Sequence, residues 1–225
     1  VGDLRLQYNP ARIVSTGASI DRQTLAKRPC FLCKTNRPER QISKPLFWKN
    51  EEQEMEILVN PYPILPQHFT IPLLRHEPQA IYTHFQAIHH LLHQHPKLMV
   101  FYNGPHCGAS APDHLHLQAG TSGKTPLQSM MPRMMRTLRE ITSAGDGESI
   151  SLLTDYVVPA FLIRSRHAET ERKLFRRLYR AMAQAQAASG TKADNDEEPM
   201  MNIVAWRQGD EQLTVVLPRR KHRPD

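Results

Sequence analysis

Cysteines and long apolar runs are scarce in this 225-residue chain. Its three cysteines are few and odd in number, which argues against a disulfide-stabilised scaffold. They favour a reducing compartment, which we expect to be the cytoplasm. No apolar run approaches the roughly 20 residues that a membrane-spanning helix needs, and no stretch near the beginning resembles a secretory signal. We therefore expect a soluble protein that does not act at a membrane.

Acidic residues are outnumbered, with 22 against 29 lysines and arginines, so the formal charge is +7, and twelve histidines come in addition. A positive charge favours anionic partners, either nucleic acid or phosphorylated metabolites. The basic residues are scattered over 133–139, 164–180 and the tail 218–224, a distribution that a solvated basic surface also explains. Nucleic acid is therefore not the partner that we expect.

The hydrophobic pattern predicts one α+β domain over residues 1–225, because the length suits one large core and no long linker interrupts it. In the first half, residues 1–125, the pattern predicts strands at 56–59, 68–73, 98–102 and 115–119 and a helix at 79–95. In the second half, residues 150–225, it predicts strand material at 156–163, a helix at 169–188 and a hairpin of 201–206 with 213–218. We interpret this as a strand–strand–helix–strand–strand unit that occurs twice, degenerate in the second copy. Methionines at helical spacing between 121 and 150 are expected to fill core.

The stretch GASAPDHLHLQAG, residues 108–120, places His114, His116 and Gln118 at alternate positions. In a strand these three side chains share one face, while Leu115 and Leu117 point into the core. Chance alternation of two histidines on a half-buried strand is the alternative reading.

The loop before these histidines weakens that alternative. Gly104 and Gly108 allow a backbone to approach a ligand closely, and Ser110 adds a hydroxyl donor. Such a loop suits an oxyanion or a phosphate.

Cys30 and Cys33 have the spacing of half a zinc knuckle, in which two thiolates reach one tetrahedral metal ion. A redox-active cysteine pair is the alternative, although that arrangement opens a helix after a strand and this pair lies in an irregular region. The third cysteine, Cys107, is isolated. Two further ligands would then be histidines, with His76 and His114 as the candidates.

Three motifs occur in order across residues 28–118: RPCFLCKTN, NPYPILPQHFTIPLLRH and FYNGPHCGASAPDHLHLQ. Together they resemble the nucleotidyltransferase branch of the histidine-triad (HIT) superfamily, which includes galactose-1-phosphate uridylyltransferase (GalT) and the diadenosine tetraphosphate phosphorylases. The resemblance implies a GalT/HIT-like domain built on an antiparallel sheet with helices. It also implies transfer of an NMP group from a dinucleoside polyphosphate or a nucleotide sugar to phosphate or a sugar phosphate, through a covalent nucleotidyl-histidine.

The resemblance implies a role for each matching residue. His116 would be the nucleophile, and Gln118, Ser110 and the backbone at Gly108 would donate hydrogen bonds to the phosphoryl group. The remaining implied contacts are Asn60 to the ribose, Arg28 and Asn103 to phosphates, and Cys30, Cys33, His76 and His114 to a structural zinc ion.

Two features of the motif bear on the reaction type. The histidine-triad hydrolases have a third histidine where this chain has Gln118, so the resemblance favours transfer over hydrolysis. Leu117 stands where uridylyltransferases usually have glycine, which favours a phosphorolytic or related transferase over a galactose-specific enzyme. The alternatives are a zinc-stabilised module that binds nucleotides or RNA without turnover, and a histidine-triad hydrolase. A homodimer is a further possibility that the resemblance raises.

Overall fold

A computed structural model gives the structure of residues 6–10, 20–47, 53–190 and 198–222. The ten strands are β1 (Ser43–Phe47), β2 (Gln53–Val59), β3 (Phe69–Pro72), β4 (Leu98–Asn103), β5 (His116–Thr121), β6 (Arg139–Gly145), β7 (Glu148–Leu153), β8 (Ala160–Ser165), β9 (Met201–Gln208) and β10 (Glu211–Pro218). The α-helices of the described residues are α1 (Arg22–Lys27), α2 (Gln86–Gln94), α3 (Pro126–Met134) and α4 (Ala168–Ala188). Of the basic tail 218–224, the last two residues lie outside the described part.

All ten strands belong to one sheet in the order β1-β2-β3-β5-β4-β9-β10-β8-β7-β6, and every neighbouring pair is antiparallel. The two halves meet at the centre, where β4 pairs with β9 and Val100 lies opposite Ala205. The α+β class and the antiparallel sheet are thus confirmed.

The number of strands differs from the prediction, because each half has three strands before its helix. The additional strands include the two at the edges of the sheet, β1 and β6, whose residues are mostly exposed. An edge strand that is exposed on both faces has no alternation of buried and exposed residues, so the hydrophobic pattern does not reveal it. The pseudo-repeat of the two halves remains a prediction.

Helices cover both faces of the sheet. On one face Phe85, the residue before α2, stacks on Phe175 of α4 with ring centroids 3.8 Å apart. On the other face α3 buries Met130, Met131 and Met134 against the sheet, so these methionines do fill core as expected. We refer to these two sides as the α4 face and the α3 face. Within the described residues, none of the helices combines the length and the apolar composition that a bilayer crossing requires.

Strand β5 divides its side chains between the two faces of the sheet. Leu115, Leu117 and Ala119 belong to the core on the α4 face, so His116 and Gln118 point to the α3 face. The strand begins at His116, one residue later than predicted. His114 therefore lies in the preceding turn, where its N–H donates to the carbonyl of Ala111 at 3.2 Å, and not on the strand itself.

Candidate functional site

The four residues suggested as metal ligands lie together. The ligand atoms of Cys30, Cys33, His76 and His114 are all within 4.8 Å of one another. His114 Nδ1 is 3.3 Å from Cys30 Sγ and 3.6 Å from Cys33 Sγ, while His76 Nδ1 is 3.2 Å from Cys33 Sγ. Bonds of about 2.0–2.3 Å to one tetrahedral zinc ion would put such atoms about 3.3–3.8 Å apart. The donor set and its spacing therefore fit a zinc ion.

His114 is oriented as a metal ligand would be. Its Nε2 lies 2.7 Å from the carbonyl oxygen of Leu73, which requires the proton on Nε2 and leaves the lone pair of Nδ1 facing the two thiols. Burial lowers the pKa of His114, so the ring is neutral at neutral pH. Burial raises the pKa of the Cys33 thiol, and the adjacent Cys30 raises it further. The two cysteines would therefore both ionise here only if a bound cation balanced their charge.

His116 is buried on the α3 face, with 4% of its surface exposed. Its Nδ1 lies 2.8 Å from the carbonyl oxygen of His114, so Nδ1 carries the proton and donates it to that carbonyl. Burial is the main cause that lowers the pKa of His116, to about 4. At neutral pH the ring is therefore neutral, with its lone pair on Nε2, the form in which an imidazole is a nucleophile.

Gln79 holds the backbone of His116 in place, a role that the sequence patterns did not reveal. The His116 N–H donates to Gln79 Oε1 at 2.8 Å, and Gln79 Nε2 donates to the His116 carbonyl at 3.0 Å and to the Asn103 carbonyl at 2.9 Å. Gln79 is 2% exposed. One buried amide thus joins the start of β5 to the end of β4. An isolated glutamine in a loop carries no signal from which this role could be read.

His68 fixes the orientation of Gln118, and it too was missed. The Ile64 N–H donates to His68 Nδ1 at 3.1 Å, so the proton of this neutral ring is on Nε2. His68 Nε2 lies 3.0 Å from Gln118 Oε1 and donates to it. The carboxamide oxygen of Gln118 is then used by His68, and its NH₂ group is the end that can donate elsewhere. His68 stands in a motif that signalled a strand, and only the pairing of β3 with β5 connects it to Gln118.

The loop between β4 and β5 carries the predicted phosphate contacts. Gly108 is exposed and has φ +96°, a left-handed conformation that favours glycine. Arg28 reaches this loop: its guanidinium donates to the Ser110 carbonyl at 3.3 Å and to Asp113 Oδ1 at 2.8 Å. In this structure Arg28 therefore pins the loop through an ion pair that is about four-fifths buried.

The predicted ribose contact, Asn60, follows β2, which β3 separates from β5. Its Nδ2 donates to Thr70 Oγ1 at 2.8 Å, and its Oδ1 accepts from the Tyr62 N–H at 2.8 Å. Thr70 is the strand partner of Gln118, so Asn60 is one strand away from the His116 side chain. Both of its polar atoms already have a protein partner.

Asn103 is the last residue of β4, and its side chain joins the two halves. Its Oδ1 accepts from Asn202 Nδ2 at 2.7 Å. Both residues also line a cavity of about 790 Å³ on the α3 face, together with apolar side chains that include Phe101 and Leu65. Since Phe101 is the strand partner of Gln118, this cavity opens beside the site.

Comparison with known proteins agrees with this geometry at the level of the fold. Yeast Ap4A phosphorylase Apa2 matches with a TM-score of 0.54 and 18% identity, over 87% of this chain and 67% of that one. Its complex with AMP matches with a TM-score of 0.52 and 18% identity, over 76% of this chain and 58% of that one, so here the chain spans less than two thirds of its relative. A DUF4931 family protein from Bacillus cereus matches with a TM-score of 0.48 and 15% identity, over 75% of this chain and 83% of that one. No curated protein sequence matches the chain.

The chain thus shares its fold with yeast Ap4A phosphorylase. The sequence profile of the family described as "Domain of unknown function (DUF4922)" matches residues 2–121, more than half of the chain. The protein belongs to the DUF4922 family. The matched region ends with β5 and therefore contains every residue that the sequence motifs suggested as a metal ligand or a site residue. A likeness to galactose-1-phosphate uridylyltransferase remains a prediction.

Proposed function

We propose that this protein is a nucleotidyltransferase or phosphorylase that transfers an NMP group from a nucleotide donor, a dinucleoside polyphosphate or a nucleotide sugar, to phosphate or a sugar phosphate. The observation that carries the proposal is the state of His116. Its ring is neutral, its proton is held on Nδ1 by the His114 carbonyl, and its Nε2 lone pair is on the same face as Gln118. The shared fold with Ap4A phosphorylase, one structure of which holds AMP, supports the same class of reaction.

The reaction has two displacements at one phosphorus atom. His116 Nε2 attacks the α-phosphorus, a P–N bond forms, and the P–O bond to the leaving phosphate breaks with its electron pair on the leaving oxygen. An oxygen of the acceptor phosphate then attacks the same phosphorus, and the electron pair of the P–N bond returns to Nε2. The hydrogen bond from Nδ1 to the His114 carbonyl stabilises the ring while it carries the phosphoryl group.

Gln118 stabilises the charge on the phosphoryl oxygens. Because His68 donates to its Oε1, the amide NH₂ is the group that faces the reacting phosphate. The backbone at Gly108 and the hydroxyl of Ser110 add further donors. None of these groups activates a water molecule as a general base would, so we expect transfer to prevail over hydrolysis. The cavity beside Asn103 receives the nucleoside, with Asn60 at the ribose.

We also propose a structural zinc ion held by Cys30, Cys33, His76 and His114. Four nitrogen and sulfur ligands leave no coordination position open, so the bound ion would supply stability and no chemistry. It would tie the segment around Cys30 to the turn that precedes the nucleophile. The motif-bearing half 1–125 thus contains the metal and the nucleophile, and the second half supplies one wall of the cavity.

Intact-mass measurement of a covalent adduct tests the catalytic proposal. The protein is incubated with diadenosine tetraphosphate or with a nucleotide sugar, in the absence of acceptor, and quenched. We expect a mass increase of one NMP group, and we expect His116→Ala to abolish it. The control is His93→Ala, an exposed histidine on α2. If no donor leaves an adduct that depends on His116, the proposed mechanism is wrong. If His116→Ala instead binds nucleotides or RNA with the same affinity as the wild type and no adduct forms, a binding module without turnover is supported.

A further inference from the structure

The basic segment Arg219–His222, which follows β10, contacts the loop between β4 and β5 through His222 and is not used by the proposed reaction. We call it the C-terminal arm. It begins with a backbone hydrogen bond of 2.9 Å from Arg219 N to the Met200 carbonyl. The Arg219 guanidinium donates to Asn202 Oδ1 at 2.8 Å and to the Lys221 carbonyl at 3.2 Å.

Asn202 connects the arm to the residues beside the nucleophile. Its Nδ2 donates to Asn103 Oδ1 at 2.7 Å and to the Cys107 carbonyl at 2.8 Å. The Asn103 carbonyl is bound by the same Gln79 amide that binds His116. A short series of hydrogen bonds therefore runs from Arg219 to the backbone of the nucleophile.

The end of the arm contacts the loop directly. The N–H of Gly108 donates to His222 Nδ1 at 3.3 Å. Gly108 is one of the donors that the motifs assigned to phosphate, so a neutral imidazole nitrogen accepts the hydrogen bond that a phosphoryl oxygen would take. The contact is long for a hydrogen bond, and an anionic acceptor makes a shorter and stronger one.

The charge of the arm suits an anion. Arg219, Arg220 and Lys221 are consecutive cationic residues, and the last two are exposed. Within the described residues, the two oxygens that Arg219 contacts are an amide oxygen and a backbone carbonyl, neither of which neutralises a guanidinium. Arginine binds phosphate through two parallel N–H groups.

We propose that the C-terminal arm is an anion-binding element that recognises the phosphoryl groups next to the one that His116 attacks. Arg219 binds the polyphosphate portion of the donor, and His222 holds the Gly108 N–H until a phosphoryl oxygen replaces it. The inference rests on the proposed function and narrows its donors to those with a charged polyphosphate chain.

Isothermal titration of the full chain with sodium tripolyphosphate, and separately with AMP, tests the proposal. We expect Arg219→Ala to weaken tripolyphosphate binding about tenfold, since a charged hydrogen bond is lost. We expect His222→Ala to strengthen it about threefold, because the competing acceptor is removed. In both variants the affinity for AMP should change less than the affinity for tripolyphosphate. Lys173→Ala, which removes an exposed charge from α4 on the opposite face, is the control and should bind both ligands as the wild type does.

The two variants predict changes of opposite sign, which a merely structural arm would not produce. If Arg219→Ala binds tripolyphosphate as the wild type does, or if His222→Ala weakens binding, the inference is overturned. Should Arg219→Ala fail to fold, the double substitution of the exposed Arg220 and Lys221 by alanine replaces it, with weaker binding expected again. The adduct experiment tests the proposed reaction separately. If Arg219→Ala weakens tripolyphosphate binding but the wild type forms no adduct, the C-terminal arm binds anions and the proposed reaction is wrong.

Discussion

Gln79→Ala removes the amide that holds the backbone of His116, the proposed nucleophile, and the effect can be worked out from three hydrogen bonds. The substitution leaves the His116 N–H, the His116 carbonyl and the Asn103 carbonyl without this partner. At about 1 kcal/mol net for each bond, the free energy of unfolding should fall by about 3 kcal/mol. A shift of the reacting ring by about 1 Å slows a positioned reaction by about 100-fold, so adduct formation should slow by that order.

Urea unfolding at neutral pH and the rate of adduct formation measure the two effects in Gln79→Ala. Gln212→Ala is the matched control, because Gln212 is another fully buried glutamine whose Nε2 donates to Glu171 Oε1 at 2.7 Å, on the α4 face. The control should lose comparable stability and keep its rate of adduct formation. If both variants form the adduct at the wild-type rate, Gln79 does not position His116.

Two further predictions concern the metal and pH. Purified protein should contain about one zinc ion per chain by atomic emission. His76→Ala should lose the ion, and His93→Ala should keep it. A metal-free wild type with a disulfide between Cys30 and Cys33 would show that the zinc site does not exist. Burial would raise the pKa of Glu148, but hydrogen bonds from Ser165, His167 and a further backbone N–H lower it from 4.5 to about 2. This stabilisation is fully present above pH ~4.5 and is lost as the pH falls through about 2. Glu148→Gln should therefore lower the free energy of unfolding by up to ~3 kcal/mol at pH 7 and by about 1 kcal/mol at pH 2.5, and an equal loss at both pH values would contradict this.

The arrangement of the motif around His116 was predictable because it depends on a short segment. Alternation of Leu115 and Leu117 with His116 and Gln118 requires only the period of a strand, and the structure places the leucines in core and the polar residues on the other face. The alternation failed only for His114, which precedes the strand. A turn of four residues at that point has no periodic signature, so the pattern could not mark where the strand begins.

The supports of the site were not predictable, because they depend on which strands are neighbours. His68 reaches Gln118 only since β3 pairs with β5, and Gln79 reaches His116 and Asn103 only since β4 and β5 are adjacent. The same holds for the C-terminal arm, which is more than 100 residues from Gly108 along the chain.

The sequence by itself determined the α+β class, most of the central strands and the candidate site residues, because strand and helix periods and side-chain chemistry are properties of short segments. The tertiary structure alone decided the order of the strands, the convergence of Cys30, Cys33, His76 and His114, and the tautomers of His68 and His116. These depend on partners that are distant in sequence. A hydrogen bond that selects which nitrogen carries a proton exists only after the chain has brought the donor and the acceptor together.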